Sequence, residues 1–210
     1  MRKTVMALLI LFVAASGTFA QDEMQARVDA LKQGLGKQVG KERRTAVGRA
    51  WDFEKGSVYW SGKTGARLVS GSVLKKYKEL GAEGGALGYP AADERPAEKG
   101  VQQTFEHGFI TANRTGDTSA EILAGVNITE GSLVVTATTN PPILGIDNDG
   151  TLFVRGEGNV EAVLRCTCVK KPSKFSTRGS CTAIVNGDMA SCVPAPACEG
   201  GSCAFEVVDK

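Results

Sequence analysis

Hydrophobic residues recur along this chain with two different spacings. Met24, Val28, Leu31 and Leu35 return every three or four residues, and so do Val73, Leu74, Tyr77 and Leu80, with Gly81 ending the second run. That spacing places each set on one face of a helix. Val58-Tyr59-Trp60 and Arg67-Leu68-Val69, joined by a turn containing Gly and Ser, predict short strands. Further on, Glu121 to Ile128, Ser132 to Thr139, Ile143 to Asp147, Thr151 to Gly156, Asn159 to Val169, Cys181 to Val185, Asp188 to Cys192 and Cys203 to Val208 are strand candidates. They are rich in Val, Ile and Thr and separated by Gly, Pro and Asn. The expected fold class is mainly β with short helices (α+β), and the C-terminal part is expected to be an antiparallel β sandwich or barrel.

The pattern also repeats. A shift of 52 positions superposes Leu35 on Leu87, Gly36 on Gly88, Glu42 on Glu94, Arg43 on Arg95, Gly48 on Gly100, Phe53 on Phe105, Glu54 on Glu106 and Gly56 on Gly108. Self-similarity at a fixed period predicts units that bury their apolar faces against neighbours. Each unit reads as a helix, a glycine turn, an irregular link and a β-hairpin.

The second copy contains Leu87-Gly88-Tyr89-Pro90 with Glu94 downstream, then Gln103, Phe105, Gly108 and Ile110. The preceding unit supplies Tyr59-Trp60, Gly65-Ala66, Val69 and Gly71. In this order, residues 24–110 resemble the LGFP-repeat family. The first copy has Lys37-Gln38 in place of the aromatic and proline, and Thr111-Ala112 replaces Tyr-Trp in the second, so one complete unit plus partial copies is expected. The resemblance implies small β units that bind cell envelopes. It gives Gly56, Gly65, Gly71, Leu87, Gly88, Pro90, Glu94, Phe105 and Gly108 the role of a structural motif.

Ahead of the repeats, Arg2-Lys3, an apolar run from Val5 to Ala15, and Thr18-Phe19-Ala20 describe a secretory signal peptide over residues 1–20. The run is shorter than the roughly 20 residues a membrane span needs, so an integral membrane protein is not expected. Six cysteines, all between Cys166 and Cys203, suit a disulfide framework in an oxidising compartment. Residues 21–116 carry 16 Lys/Arg against 12 Asp/Glu, and residues 117–210 carry 7 against 11. This asymmetry and the polar stretch Asn113 to Ser119 predict two domains, a repeat domain at 21–116 and a Cys-rich all-β domain at 117–210. The basic residues are not clustered with aromatics, which argues against nucleic acid as a partner.

Cys166 and Cys168 face the same way on one strand and are expected to bridge outward, towards Cys198 and Cys203, rather than to each other. Asn186-Gly187 favours a two-residue hairpin loop. Pairing outward from Val185 and Asp188 sets Cys181 opposite Cys192, which makes Cys181 with Cys192 the favoured disulfide; the remaining connectivity stays open.

Tyr59, Trp60 and Tyr89 are the ligand-binding candidates, because flat aromatic faces beside polar groups suit sugar rings; a core role competes for each of them and for Trp51. Glu94 and Glu106 could pair as a glycosidase's carboxylates, but Glu42 and Glu54 repeat them, and a repeated acid is more simply a turn or interface partner. His107, the single histidine, aligns with Lys55 and is expected to face solvent. With no nucleophile motif beside it, no catalytic residue is assigned. Zinc on Cys166 and Cys168 is disfavoured against disulfides. Asp147-Asn148-Asp149-Gly150 opens like a calcium loop but has Gly158 where the bidentate Glu belongs. No metal and no cofactor are expected.

The chain is expected to be a secreted, periplasmic or cell-surface binding protein without enzymatic activity. Its repeat domain would anchor to cell-wall polysaccharide or to an envelope protein, and a homo-oligomer could form through unpaired repeat faces. The alternatives are a wall hydrolase targeted by the repeats, drawing its acids from Glu157, Glu161 or Glu199, and a disulfide-rich adhesin or inhibitor that presents the loop Lys170 to Arg178.

Overall fold

The computed structural model describes residues 24–97, 100–129, 131–137, 142–146, 151–156, 161–169, 181–194, 198 and 202–208. The expected signal peptide, the Lys170 to Arg178 loop, the Asp147 to Gly150 turn, Glu157 and Glu199 lie outside the described residues, as does the side chain of Glu161. The chain divides into two compact units after Leu68.

In the first unit, helix α1 spans 24–32 and is followed by strands β1 (Arg43–Arg44), β2 (Gly48–Phe53), β3 (Gly56–Ser61) and β4 (Gly65–Ser70), which form one sheet in that order. The helical spacing read from the sequence places Met24, Val28 and Leu31 against Trp51, Val58 and Ala66, and Leu35 joins this core from the turn beyond the helix.

The second unit begins the same way. Helix α2 (Gly71–Glu79) buries Val73 and Tyr77, keeps Lys76 and Lys78 in its last turn where the helix dipole favours cations, and stops before Gly81 at φ 94°. A 3-10 turn (Ala82–Gly84) leads to β5 (Arg95–Ala97), β6 (Gly100–Phe105), β7 (Gly108–Asn113) and β8 (Thr118–Ile122), again a four-stranded sheet in sequence order.

The 52-residue shift therefore holds strand by strand. Gly48 opens β2 as Gly100 opens β6, Gly56 opens β3 as Gly108 opens β7, and the bridge between Gln38 and Phe53 recurs between Pro90 and Phe105. Both copies fold as complete four-stranded units, so the expectation of a single complete unit is corrected. The expected irregular link contains β1 and β2 in one copy and β5 and β6 in the other. The polar stretch 113–119 read as an interdomain link lies in the hairpin connecting β7 and β8, whose register runs from Ala112 with Thr118 to Gly108 with Ile122.

Among the described residues, eight further strands follow in the second unit: β9 (Val126–Thr129), β10 (Ser132–Val135), β11 (Ile143–Ile146), β12 (Leu152–Arg155), β13 (Glu161–Val169), β14 (Cys181–Asn186), β15 (Met189–Pro194) and β16 (Ser202–Val207). They form two open antiparallel sheets, ordered β14-β15-β10-β9 and β11-β12-β13-β16. Ile128, Leu133 and Ala190 from one sheet share a core with Leu152, Leu164 and Phe205 from the other. The result is a sandwich and not a barrel. The predicted strand from Glu121 to Ile128 is broken at Leu123-Ala124-Gly125. Its first half, β8, completes the second repeat, and its second half, β9, edges the sandwich.

The disulfides are Cys166–Cys192, Cys168–Cys198 and Cys181–Cys203. The first and third join opposite sheets of the sandwich; Cys166 and Cys168 do not bridge to each other, and Cys168 takes the expected Cys198, but Cys166 bridges to Cys192 rather than to Cys198 or Cys203. The favoured Cys181 with Cys192 is overturned by a one-residue change in the loop. Gly187-Asp188, rather than Asn186-Gly187, forms the turn, so Asn186 faces Met189, Cys192 faces Ala183 and Cys181 faces Pro194. Gly187 alone of the turn residues has positive φ, 61°. A turn with glycine at its first central position needs only one such residue, whereas the expected loop needs two.

The second repeat and the sandwich share contacts within this unit. Phe109 of β7 belongs to the sandwich core. Leu123 N–H donates to the His107 carbonyl at 2.8 Å, and Ile128 N–H donates to that of Glu106 at 2.7 Å. Arg95 on β5 is 8 % exposed and donates to the Thr167 hydroxyl, the Gln102 side-chain oxygen and the Phe205 carbonyl. Burial pushes its guanidinium below the ordinary arginine value, and nearby Glu206 opposes that shift.

Candidate functional site

The repeat motif builds a turn. Gly88 sits at φ 68°, and a Cβ there would lie 2.7 Å from the Glu106 carboxylate. Glu106 uses that space to accept the Tyr89 N–H at 2.9 Å, while the Tyr77 hydroxyl donates to the Gly88 carbonyl at 2.6 Å. Leu87 and Phe105 are fully buried, and the Phe105 ring lies 4.5 Å from that of Tyr77. In the first copy, Gly36 at φ 80° abuts Glu54, which accepts the Lys37 N–H at 3.1 Å. The repeated Glu54 and Glu106 are thus turn partners, whereas of the other repeated pair Glu42 reaches Arg44 and Glu94 is exposed. Gly56, Gly65 and Gly71 open β3, β4 and α2, and Gly108 leaves no room for a side chain against Leu87 and the Glu121 carbonyl. Pro90 is buried. Glu94 stands exposed beside Arg95, its carboxyl raised from the usual value by the desolvation it does experience.

Two of the three aromatic candidates are corrected. Tyr59 and Tyr89 are 0 % and 2 % exposed, so their rings are core and present no face to a ligand; Trp51 is likewise buried. Strand alternation separates Trp60 from Tyr59 and leaves it partly exposed. Register then supplies its neighbours. Trp60 pairs with Arg49, and Arg49 with Arg44, so the three side chains lie in a row on one face of β3, β2 and β1. The Arg49 guanidinium lies 5.8 Å from the Trp60 ring centroid, within cation–π range. One carboxylate oxygen of Glu42 is 2.9 Å from Arg44 Nε and 3.7 Å from Arg49 Nε, an ion pair with each. The arrangement offers an aromatic face flanked by guanidinium donors and one carboxylate.

Sequence reasoning missed Arg44 and Arg49. They are five residues apart in the chain, and only the β1–β2 pairing makes them neighbours. The second copy has Pro96, Val101 and Ala112 at the corresponding places, so the row exists once.

His107 does not face solvent freely. Its Nδ1 donates to the Val126 carbonyl at 2.6 Å, and the residue is half-buried. The sulfurs of Cys168, Cys181 and Cys198 cluster within 4.8 Å, but all three are in disulfides. Among the described residues, no helix is long and apolar enough to cross a membrane.

No curated protein matches the chain. A family model for the LGFP repeat matches residues 35–85 and 87–128, a region that takes in both four-stranded sheets and the start of β9. Residues 35–85 and 87–128 are thus a pair of LGFP repeats.

Proposed function

We propose that this is a non-enzymatic binding protein of the cell envelope and that its first repeat docks on cell-wall polysaccharide through Trp60, Arg49 and Arg44. The repeats are those of a cell-surface or wall-associated repeat protein, and three disulfides suit an extracytoplasmic setting. The observation that carries the reading is Trp60, partly exposed at the edge of the first repeat's core, with a guanidinium 5.8 Å from its ring. A pyranose stacks on such a face while adjacent arginines bond its hydroxyl or acidic substituents. A binding role without catalysis is supported by the acids of the repeat turns, since Glu54 and Glu106 are engaged with backbone N–H groups.

The test is co-sedimentation of the full chain with insoluble wall polysaccharide. Wild type is expected to pellet, and Trp60→Ala to stay in the supernatant with an unchanged circular dichroism spectrum and a melting temperature lowered but still above the assay temperature. If folded Trp60→Ala pellets like wild type, the assignment of this face is wrong. If wild type itself stays in solution, the wall-binding reading fails.

A further inference from the structure

Two of the three disulfides are close enough to trade partners. Cys168–Cys198 and Cys181–Cys203 are separate bonds, yet the sulfurs of Cys168, Cys181 and Cys198 all lie within 4.8 Å of one another. The fourth cysteine is placed by register, since Cys203 on β16 lies directly opposite Cys168 on β13. Directly opposed residues hold their Cβ atoms about 4.5–5.5 Å apart, close to the span that a disulfide bridges. The same four cysteines therefore admit a second pairing, Cys168 with Cys203 and Cys181 with Cys198, reached by side-chain rotation with a small closing shift of the facing strands.

Exposure orders their reactivity. Cys181 and Cys168 are partly exposed, whereas Cys203 and Cys198 are 5 % and 0 % exposed. Each of the two bonds thus joins a partly exposed cysteine to a buried one. The remaining disulfide is different: Cys166 and Cys192 are both buried, at 7 % and 8 %, and belong to no such sulfur cluster.

We propose that Cys168, Cys181, Cys198 and Cys203 form a thiol–disulfide exchange site whose substrate is an external thiolate and whose point of attack is Cys181. The thiolate displaces Cys203 from Cys181, forming a mixed disulfide at Cys181 and leaving the electron pair on the Cys203 sulfur. The Cys203 thiolate attacks Cys168 across the strand pair, making Cys168–Cys203 and releasing the Cys198 thiolate. Cys198 then attacks Cys181, making Cys181–Cys198 and expelling the original thiolate. Each step breaks one S–S bond and makes one, so the cycle needs no net oxidant or reductant and regenerates its trigger. Because the attacking species is the thiolate, the rate rises about tenfold per pH unit below the trigger thiol's pKa.

The experiment treats the intact, oxidised full chain with a substoichiometric monothiol, 2-mercaptoethanol, quenches it with acid at intervals, and maps disulfide-linked peptides by mass spectrometry. The expected result is the appearance of Cys168–Cys203 and Cys181–Cys198 peptides while Cys166–Cys192 persists. A companion Cys203→Ser variant leaves Cys181 without its partner. Alkylation of that variant in its folded state is expected to label Cys168 and Cys198 as well as Cys181. The proposal is overturned if the wild-type map keeps only its original links or loses all three at one rate. Label confined to Cys181 in a folded Cys203→Ser protein also overturns it. If that variant does not fold, the wild-type map alone decides.

Discussion

Gly88 and Gly187 both occupy the left-handed region, at φ 68° and 61°, yet their surroundings set different costs for a side chain. Nothing lies within 4 Å of a Cβ added at Gly187, so Gly187→Ala is expected to cost only the backbone term, about 1 kcal/mol. At Gly88 the new methyl group would meet the Glu106 carboxylate and break its bond to the Tyr89 N–H, raising the cost to about 2–4 kcal/mol. Urea unfolding midpoints of the two variants should differ accordingly, and equal midpoints would remove the clamp role assigned to Glu106. Asp117 supplies a pH test at the same scale. Its carboxylate accepts from the Thr115 hydroxyl and the Asn113 amide, which hold its pKa below the ordinary value in the fold. A depressed folded pKa means stability that is present above the unfolded value, about 3.9, and lost as pH falls through the folded one. Asp117→Asn should therefore flatten the acid limb of the melting temperature against pH and leave the neutral region unchanged in slope.

At the scale of elements, strands were largely legible because Val, Ile and Thr mark a half-buried pleated surface and Gly, Pro and Asn mark its breaks. β10 to β16 fall where that pattern put them, and the helical stripes at Val28 and Leu31 and at Val73 and Tyr77 bury as expected. Two kinds of feature were not legible. β1 and β5 have two and three residues and contain Arg43-Arg44 and Arg95-Pro96, so they show no alternation to read; their backbone pairing is imposed by β2 and β6. Register was the other, since Asn-Gly specifies a tight turn without specifying which two residues occupy it. The one-residue step at that turn misplaced Cys181 relative to Cys192, and the unread pairing of β1 with β2 hid the Arg44–Arg49–Trp60 row. If the row acts as one surface, Arg49→Ala should weaken retention on wall polysaccharide as Trp60→Ala does, while Lys63→Ala, on the exposed turn after β3, should not. Parallel binding isotherms of the three variants check this.

For the whole molecule, the decisive joint is the one between the second repeat and the sandwich. Arg95 bonds a hydroxyl, a side-chain amide oxygen and a backbone carbonyl, and removing it leaves buried acceptors unserved. Arg95→Met is expected to cost about 3 kcal/mol and to lower the melting of repeat and sandwich together, read by tryptophan-independent probes such as amide hydrogen exchange in β7 and β13. Composition suggested a division near residue 116, yet Phe109 fills the sandwich core from the repeat side. A fragment of residues 117–210 should accordingly lack a cooperative thermal transition, whereas residues 69–210 should keep one. Cooperative melting of the shorter piece would show the joint to be dispensable.

Tandem arrays lengthen by gene duplication wherever a new copy finds a free neighbour on each side. Here the hairpin of the second repeat donates and accepts bonds through Glu106 and His107 to the chain that follows it. An extra copy inserted after residue 122 would sever those bonds and strand Phe109, whereas one inserted ahead of α2 would not touch them. The second repeat is thus the fixed end of the series, and relatives with longer arrays should have acquired their additional copies on the amino-terminal side.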